Sequence, residues 1–250
     1  MFKQVRAYIP KARGVRFYHS IDHPSSNLIV NPDSIESTIL TNSLKHIPKY
    51  GFNSYCVTKS IQDLKYPDSI HSVLTSNADG KSLEFQLMLH WLRIQRSKLH
   101  EHIMDPASEF HSIENEYERV SYLIKQRLQY NEPIIKKLSY GLSQLSTPYN
   151  LSQSLEELHN LSDDIVYYAG DESNDFAWYT KRAGVSSIYV ASELYMLSDT
   201  SENFKNTKEF VDNRVRGFDG LGGVYNNIEQ WGAFNAIGLV NLVKSQWMRG

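Results

Sequence analysis

Trp178 and Arg182 stand one helical turn apart at the end of a polar and aromatic knot that runs Leu161-Ser-Asp-Asp-Ile-Val-Tyr-Tyr-Ala-Gly-Asp-Glu-Ser-Asn-Asp-Phe-Ala-Trp-Tyr-Thr-Lys-Arg182. A guanidinium stacked on an indole face can offer donors to a phosphate or carboxylate beside an aromatic anchor. That composition is common at protein hot spots and lipid headgroup sites. A purely structural account fits the same residues: Asp175 caps a helix, Asp163 or Asp164 pairs with Arg182, and Trp178 fills the core. Residue types alone leave both accounts open.

Metal chemistry has two starting points. Glu156-x-x-His159 has the spacing of half a di-iron site, but such a bundle needs two of these motifs and two further inward carboxylates, and the chain has one motif. His100-Glu101-His102 cannot use both imidazoles from one helix face, so Asp105 or His111 would have to complete the site from a loop. Glu156 and His159 read as a solvated helix face, the histidine cluster is a weak signal, and no metal or cofactor is expected. There is no Gly-x-Ser-x-Gly, no phosphate-cradling glycine loop and no Cys-x-x-Cys, and Gly220-Leu-Gly-Gly follows no strand. Nucleophilic and nucleotide chemistries therefore lack a starting motif.

The elements that must position these residues are helices. Periodicity gives one over Ile35 to Ile47, a turn at Tyr50-Gly51-Phe52, a second through Val57, Ile61 and Leu64, a turn at Lys65-Tyr66-Pro67, and a short third from Ile70 to Leu74. This is a helix-turn-helix rhythm. Its third helix carries no Lys or Arg, whereas a groove reader needs cations for phosphates, so no nucleic-acid partner is expected. Longer helices follow, marked by Leu83/Leu87/Trp91/Ile94, Tyr117/Val120/Ile124/Leu128, Ile135/Leu138/Leu142/Leu145 and Leu151/Leu155/Leu158/Ile165, with breaks at Pro133 and Pro148. The next helix, from about Asp175 to Leu197, has the stripe Phe176, Tyr179, Ala183, Ser186, Val190, Leu194 and Leu197. Its small residues Ala183, Gly184, Ser186, Ser187, Ala191 and Ser192 suit a close crossing in the bundle or across a homodimer.

Composition agrees with one main all-α domain. The 250 residues are 41% hydrophobic with a net charge of −2 and a pI near 6.5, far from the basic footprint of a nucleic-acid binder. The single Cys56 excludes an intramolecular disulfide. Residues 1–20 carry Lys3, Arg6, Lys11, Arg13 and Arg16 with no acid before Asp22, the composition of a mitochondrial transit peptide. Residues 21–33 form a linker, 34–80 the degenerate helix-turn-helix region and 81–216 the main bundle. Residues 217–226 are a glycine hinge, and 227–250 an amphipathic helix. No uncharged apolar run reaches the roughly 18 residues of a membrane span. By its residues the terminal helix is either a detachable helix for a membrane surface or a partner, or a core helix folded back on the bundle.

Leu161-Ser-Asp-Asp-Ile-Val-Tyr-Tyr, Asp175-Phe-Ala-Trp-Tyr-Thr-Lys-Arg and Ile188-Tyr-Val-Ala-Ser-Glu-Leu-Tyr-Met-Leu-Ser-Asp resemble the Coq-nine family of ubiquinone biosynthesis, across about Leu158 to Arg214. His46-Ile-Pro-Lys-Tyr-Gly-Phe resembles that family's first turn, and the ending from Tyr225 its fungal branch. The resemblance implies a non-catalytic homodimer with the fold of TetR-type regulators, peripheral on the matrix side of the inner mitochondrial membrane, with the terminal helix as its anchor and Trp231, Phe234, Ile237 and Leu242 in contact with the bilayer. It also implies binding of phospholipid and isoprenoid quinone intermediates, which the family presents to the di-iron demethoxyubiquinone hydroxylase of the ubiquinone biosynthetic complex. Carried over by position, the partner-binding patch is Asp163, Asp175, Trp178, Tyr179 and Arg182, with Arg182 and Trp178 also contacting lipid. Val166 stands where many relatives have a Trp two residues after the paired aspartates. The alternative is an enzyme acting directly on a ring substituent of a quinone precursor.

Overall fold

The computed structural model describes residues 34–77, 81–173 and 175–222, which are helices joined by turns, with no strand among them. The all-α expectation is met. In chain order the helices are α1 (Ile35–Ser43), α2 (Ile47–Tyr50), α3 (Ser54–Asp63), α4 (Ile70–Asn77), α5 (Leu83–Met104), α6 (Glu116–Gln129), α7 (Ile135–Leu145), α8 (Leu151–Ala169), α9 (Asp175–Met196) and α10 (Lys205–Gly222). The transit peptide at 1–20, the linker at 21–33, the hinge residues 223–226 and the terminal helix with Trp231, Phe234, Ile237 and Leu242 lie outside the described residues.

Local chemistry accounts for the helix ends. Ser34, Asn53, Ser82 and Asn115 each turn a side-chain oxygen onto a free N–H of the first turn of α1, α3, α5 and α6, at 2.9–3.2 Å. Gly51, with φ 75°, closes α2, and Gly170, with φ 99°, closes α8 in the left-handed conformation glycine adopts freely.

Two hydrophobic cores share α5 as a common spine. Its first half supplies Leu87, Met88 and Trp91 to a core with Ile39, Phe52, Val57 and Ile61; its second half supplies Leu99 and Ile103 to a core with Leu123, Ile165 and Ile188. Each fully buried aliphatic or Phe side chain contributes about 1.5–3 kcal/mol, so the 22-residue helix is held at both ends. Between α1 and α5 the Thr41 hydroxyl and His90 Nε2 meet at 2.8 Å, and burial drives the His90 pKa down to about 4.

Three sequence expectations change. On α9 the buried side carries Trp178, Arg182, Val185, Ile188, Tyr189 and Met196, whereas Tyr179 and Ala183, expected inside, face out. The stripe is rotated because Arg182 and Glu193 are drawn inward by polar partners. On α8, Leu151 and Leu155 are 44% and 54% exposed, because the inward position of that half is taken by Glu157, ion-paired to Arg96. The expected hinge is helical as far as Gly222, since α10 continues through Gly217 and carries Phe218 back onto the bundle.

Gly184 and Ser186, two of the small residues of α9, serve packing within the chain. A Cβ on Gly184 would lie 2.5 Å from the Phe218 ring, so glycine here makes room for α10, and the Ser186 hydroxyl bonds that of Ser162 at 2.9 Å across α8 and α9.

Candidate functional site

The knot singled out by sequence folds into one unit made from the last half of α8, the turn at 170–173 and the first half of α9. Gly170 reverses the chain, and the Asp171 carboxylate then fixes the turn by accepting from the Ser173 N–H at 3.1 Å and the Ser173 hydroxyl at 2.7 Å.

Arg182 is the centre of this unit. Its Nε donates to Asp163 at 2.5 Å and its Nη1 to Asp171 at 3.1 Å, while its guanidinium carbon stacks 4.0 Å from the centroid of the Trp178 ring. The arginine side chain is 2% exposed and the two carboxylates 6% and 0%. Lys181, next in line, bridges Asp171 and Glu116, each at 2.7 Å. Burial alone would lower the Lys181 pKa, but its bonds to Asp171 and then Glu116 raise it above its ordinary value. The cation is therefore held charged.

The aspartate pair divides its work. Asp163 takes Arg182 on α9, whereas Asp164 takes Arg96 Nη1 on α5 at 3.0 Å, and Arg96 Nε reaches Glu157 at 2.8 Å. Burial pushes the Glu157 carboxyl up against the opposing pull of Arg96. Tyr168, partly buried and beside Asp164, is pushed up to about 12 by loss of hydration and then by that carboxylate.

The structure thus brings Asp163, Trp178 and Arg182 together, but under the surface. Trp178 is 6% exposed and its ring packs 4.8 Å from Tyr179, which is 51% exposed. Tyr179 is the accessible member of the expected patch, with Tyr167 partly exposed on α8. The side chain of Asp175 lies outside the described residues. Arg182 as a contact for lipid phosphate is corrected: its charge is engaged by two buried carboxylates, and its remaining nitrogen, Nη2, is itself buried. Val166 is 1% exposed and belongs to the core, so its side chain adds nothing to this surface.

Sequence reasoning missed Asp171, Lys181, Glu116, Arg96 and Glu157. Asp171 directly follows the glycine that ends α8, and that placement was the signal available; the other four are drawn in by contacts distant in the chain. The metal candidates are otherwise engaged. His102 Nε2 lies 2.9 Å from the Tyr122 hydroxyl and 3.1 Å from that of Ser108, the His159 ring packs 5.8 Å from Trp178, and Glu156 points to solvent. A separate cleft of about 220 Å³ opens between α6, α10 and the turn joining α9 to α10. Leu128, Met196 and Val211 form its floor, and Lys125 and Lys208 stand among its polar lining. No helix among the described residues is long and apolar enough to cross a membrane.

Comparison with known proteins bears on this unit directly. A family model described as COQ9 matches residues 151–222, which are α8, α9 and α10. Over nearly the whole chain the sequence is similar to the ubiquinone biosynthesis protein coq9, mitochondrial, of Schizosaccharomyces pombe, 33% identical over 98% of this chain and 93% of that protein. The like-named protein of Saccharomyces cerevisiae is 32% identical over 94% of this chain and 95% of its own length. The human one is 28% identical over 83% and 65%.

Proposed function

The chain belongs to the COQ9 family, and from that premise we propose that it serves mitochondrial ubiquinone biosynthesis as a non-catalytic, lipid-binding accessory protein. It binds isoprenoid quinone intermediates and presents them to the demethoxyubiquinone hydroxylase, as a homodimer with the architecture of TetR-type regulators. It lies on the matrix face of the inner membrane, touching the bilayer through Trp231, Phe234, Ile237 and Leu242. The relatives' names support the pathway and the organelle.

The observation that carries the partner-docking part is the placement of Tyr179. An aromatic side chain half exposed on a helix is ordinary. This one is backed by Trp178, which is clamped by Arg182, which is in turn fixed by Asp163 and Asp171. An aromatic held rigidly at the surface loses little conformational freedom on binding, the property of an interface anchor. In this reading Asp163, Trp178 and Arg182 position the patch and Tyr179 makes the contact.

The test is capture of the purified hydroxylase by the mature chain, with Tyr179→Lys as the variant. Because Tyr179 is exposed, the variant should keep its thermal midpoint and lose at least about tenfold in affinity, the effect of an anchor worth more than about 1.4 kcal/mol. Unchanged capture would remove Tyr179 from the interface. Organic extraction and mass spectrometry of the same preparation reads the lipid claim separately: polyprenyl quinone intermediates enriched over a control protein support it, and an extract no richer than the control leaves a protein-binding scaffold.

A further inference from the structure

Where α5, α6 and α9 meet, two deeply buried polar side chains are left with bonds unmade. The antiparallel register of α5 and α6 is pinned at two points: the Trp91 indole N–H donates to Asn131 Oδ1 at 3.3 Å, and His102 pairs with the Tyr122 hydroxyl at 2.9 Å. Gln95 lies one turn after Trp91 and Arg127 one turn before Asn131, so this register sets Gln95 level with Arg127. On the third side, Glu193 Oε1 accepts from Asn131 Nδ2 at 2.7 Å and from the Tyr189 hydroxyl at 2.8 Å. The layer at Asn131 is knit together.

The neighbouring layer is not. Gln95 is 1% exposed, and neither its amide nitrogen nor its amide oxygen has a partner. Arg127 is 0% exposed; its Nη1 donates to Asn131 at 3.2 Å, but its Nε and Nη2 donate to nothing. Buried polar groups without partners forfeit their hydration, and folded interiors rarely keep several of them on facing side chains. Three of these four atoms are donors, and Nε with Nη2 forms the fork of a guanidinium edge, which selects an oxygen acceptor. The acceptor need not be an anion, because the carboxylates of Glu193 and Glu157 already lie close enough to act on the Arg127 charge.

We propose that Arg127 and Gln95 form an internal site for a neutral oxygen-bearing group, either the carbonyl oxygen of a bound ligand or an ordered water. The oxygen accepts from Nε and Nη2 of Arg127. A carbonyl also takes the Gln95 N–H, whereas a water instead donates to the Gln95 amide oxygen. The site rests on the hydrogen-bond balance of the bundle and not on the lipid reading above.

The full chain is crystallised as purified and again after exhaustive delipidation, at a resolution that shows ordered water. An isolated oxygen peak bonded to Arg127 Nε or Nη2 in both preparations identifies water. A peak continuous with larger density in the first preparation alone identifies a ligand carbonyl. No peak in either overturns the proposal. In solution Gln95→Leu, which roughly keeps side-chain volume and leaves Arg127 in place, should lower the thermal midpoint by removing one end of an oxygen bridge; a midpoint that rises or stays put counts against the site. A dry site in a chain that carries lipid elsewhere would sink this proposal and spare the lipid reading, and a water-filled site in a lipid-free chain would do the reverse.

Discussion

Replacing Arg182 by Met tests the claim that the arginine is the frame of the patch and not its contact surface. The substitution keeps much of the aliphatic stem and removes a guanidinium that is 2% exposed from two carboxylates at 2.5 and 3.1 Å. Removing one partner of a buried ion pair costs roughly 3–5 kcal/mol, because the other charge stays buried. Here the cost falls toward the lower end, since Asp171 keeps Lys181 at 2.7 Å and the Ser173 hydroxyl at 2.7 Å. Loss of the buried stack on Trp178 costs about 2 kcal/mol, of which a methionine sulfur against the ring recovers more than half, leaving roughly 0.5–1 kcal/mol. The expected total is about 3–4 kcal/mol, read by reversible guanidinium unfolding followed by circular dichroism. For a domain of this size that is a drop of roughly 6–16 °C in thermal midpoint. The double variant Asp163→Asn with Arg182→Met exchanges the stranded charge for an amide and should recover at least about 1 kcal/mol. A single variant that loses less than about 1 kcal/mol, or a double variant with no recovery, would refute the reasoning.

Gly184→Val drives a side chain into the Phe218 ring, and overpacking of this kind costs about 1–3 kcal/mol; amide exchange in residues 215–220 should accelerate, and unchanged protection there would show that α10 does not rest on Gly184. Asp199 accepts from the Thr207 N–H at 2.8 Å and the Thr207 hydroxyl at 2.5 Å, capping α10 from upstream, and although burial opposes it, the bonds from Thr207 and Ser201 pull its pKa down to about 2. A depressed carboxyl contributes stability that is fully present above the unfolded value near 3.9 and is lost as pH falls toward about 2, so Asp199→Ala should cost about 1 kcal/mol at neutral pH, as a lost cap does, and flatten acid unfolding across that window; an unchanged acid limb would contradict it. Removing residues 223–250 should abolish flotation of the chain with anionic phospholipid vesicles while leaving its helical circular dichroism; undiminished flotation would overturn the terminal membrane contact.

Helix identity was legible because apolar residues recur at helical spacing in nearly every segment, and Gly51, Pro133 and Pro148 punctuate it. Which face of a helix turned inward was less legible where ion pairs decided it. Periodicity put Tyr179 and Ala183 inside on α9, since a hydrophobic pattern gives Arg182 and Glu193 no credit for partners on other helices. Leu151 and Leu155 failed as core residues for the same reason, with Arg96, more than fifty positions earlier, holding Glu157 in their place. The glycine run misled in the other direction. Gly217, Gly220 and Gly222 lower the intrinsic helix propensity of α10, yet Val215 and Phe218 are packed on the bundle, and tertiary burial overrides a weak local preference.

The Asp163-Asp164 doublet explains why ion pairs occupy a core that apolar residues could have filled. Adjacent residues on a helix point about 100° apart, so two consecutive carboxylates on α8 face two different neighbours, and each meets an arginine: Arg182 on α9 and Arg96 on α5. Apolar side chains of equal volume would stabilise the bundle as well or better, since burying charges carries a desolvation cost. They would not forbid sliding. A leucine stripe tolerates a shift along its neighbour with modest loss, whereas displacing α8 from either arginine strands a buried charge. The doublet therefore fixes the register of α8 against both helices at once, and with it the separation of Tyr167 on α8 from Tyr179 on α9. On the proposed docking surface around Tyr179, that register matters more than further stability, which gives the ion pairs beneath it a physical role.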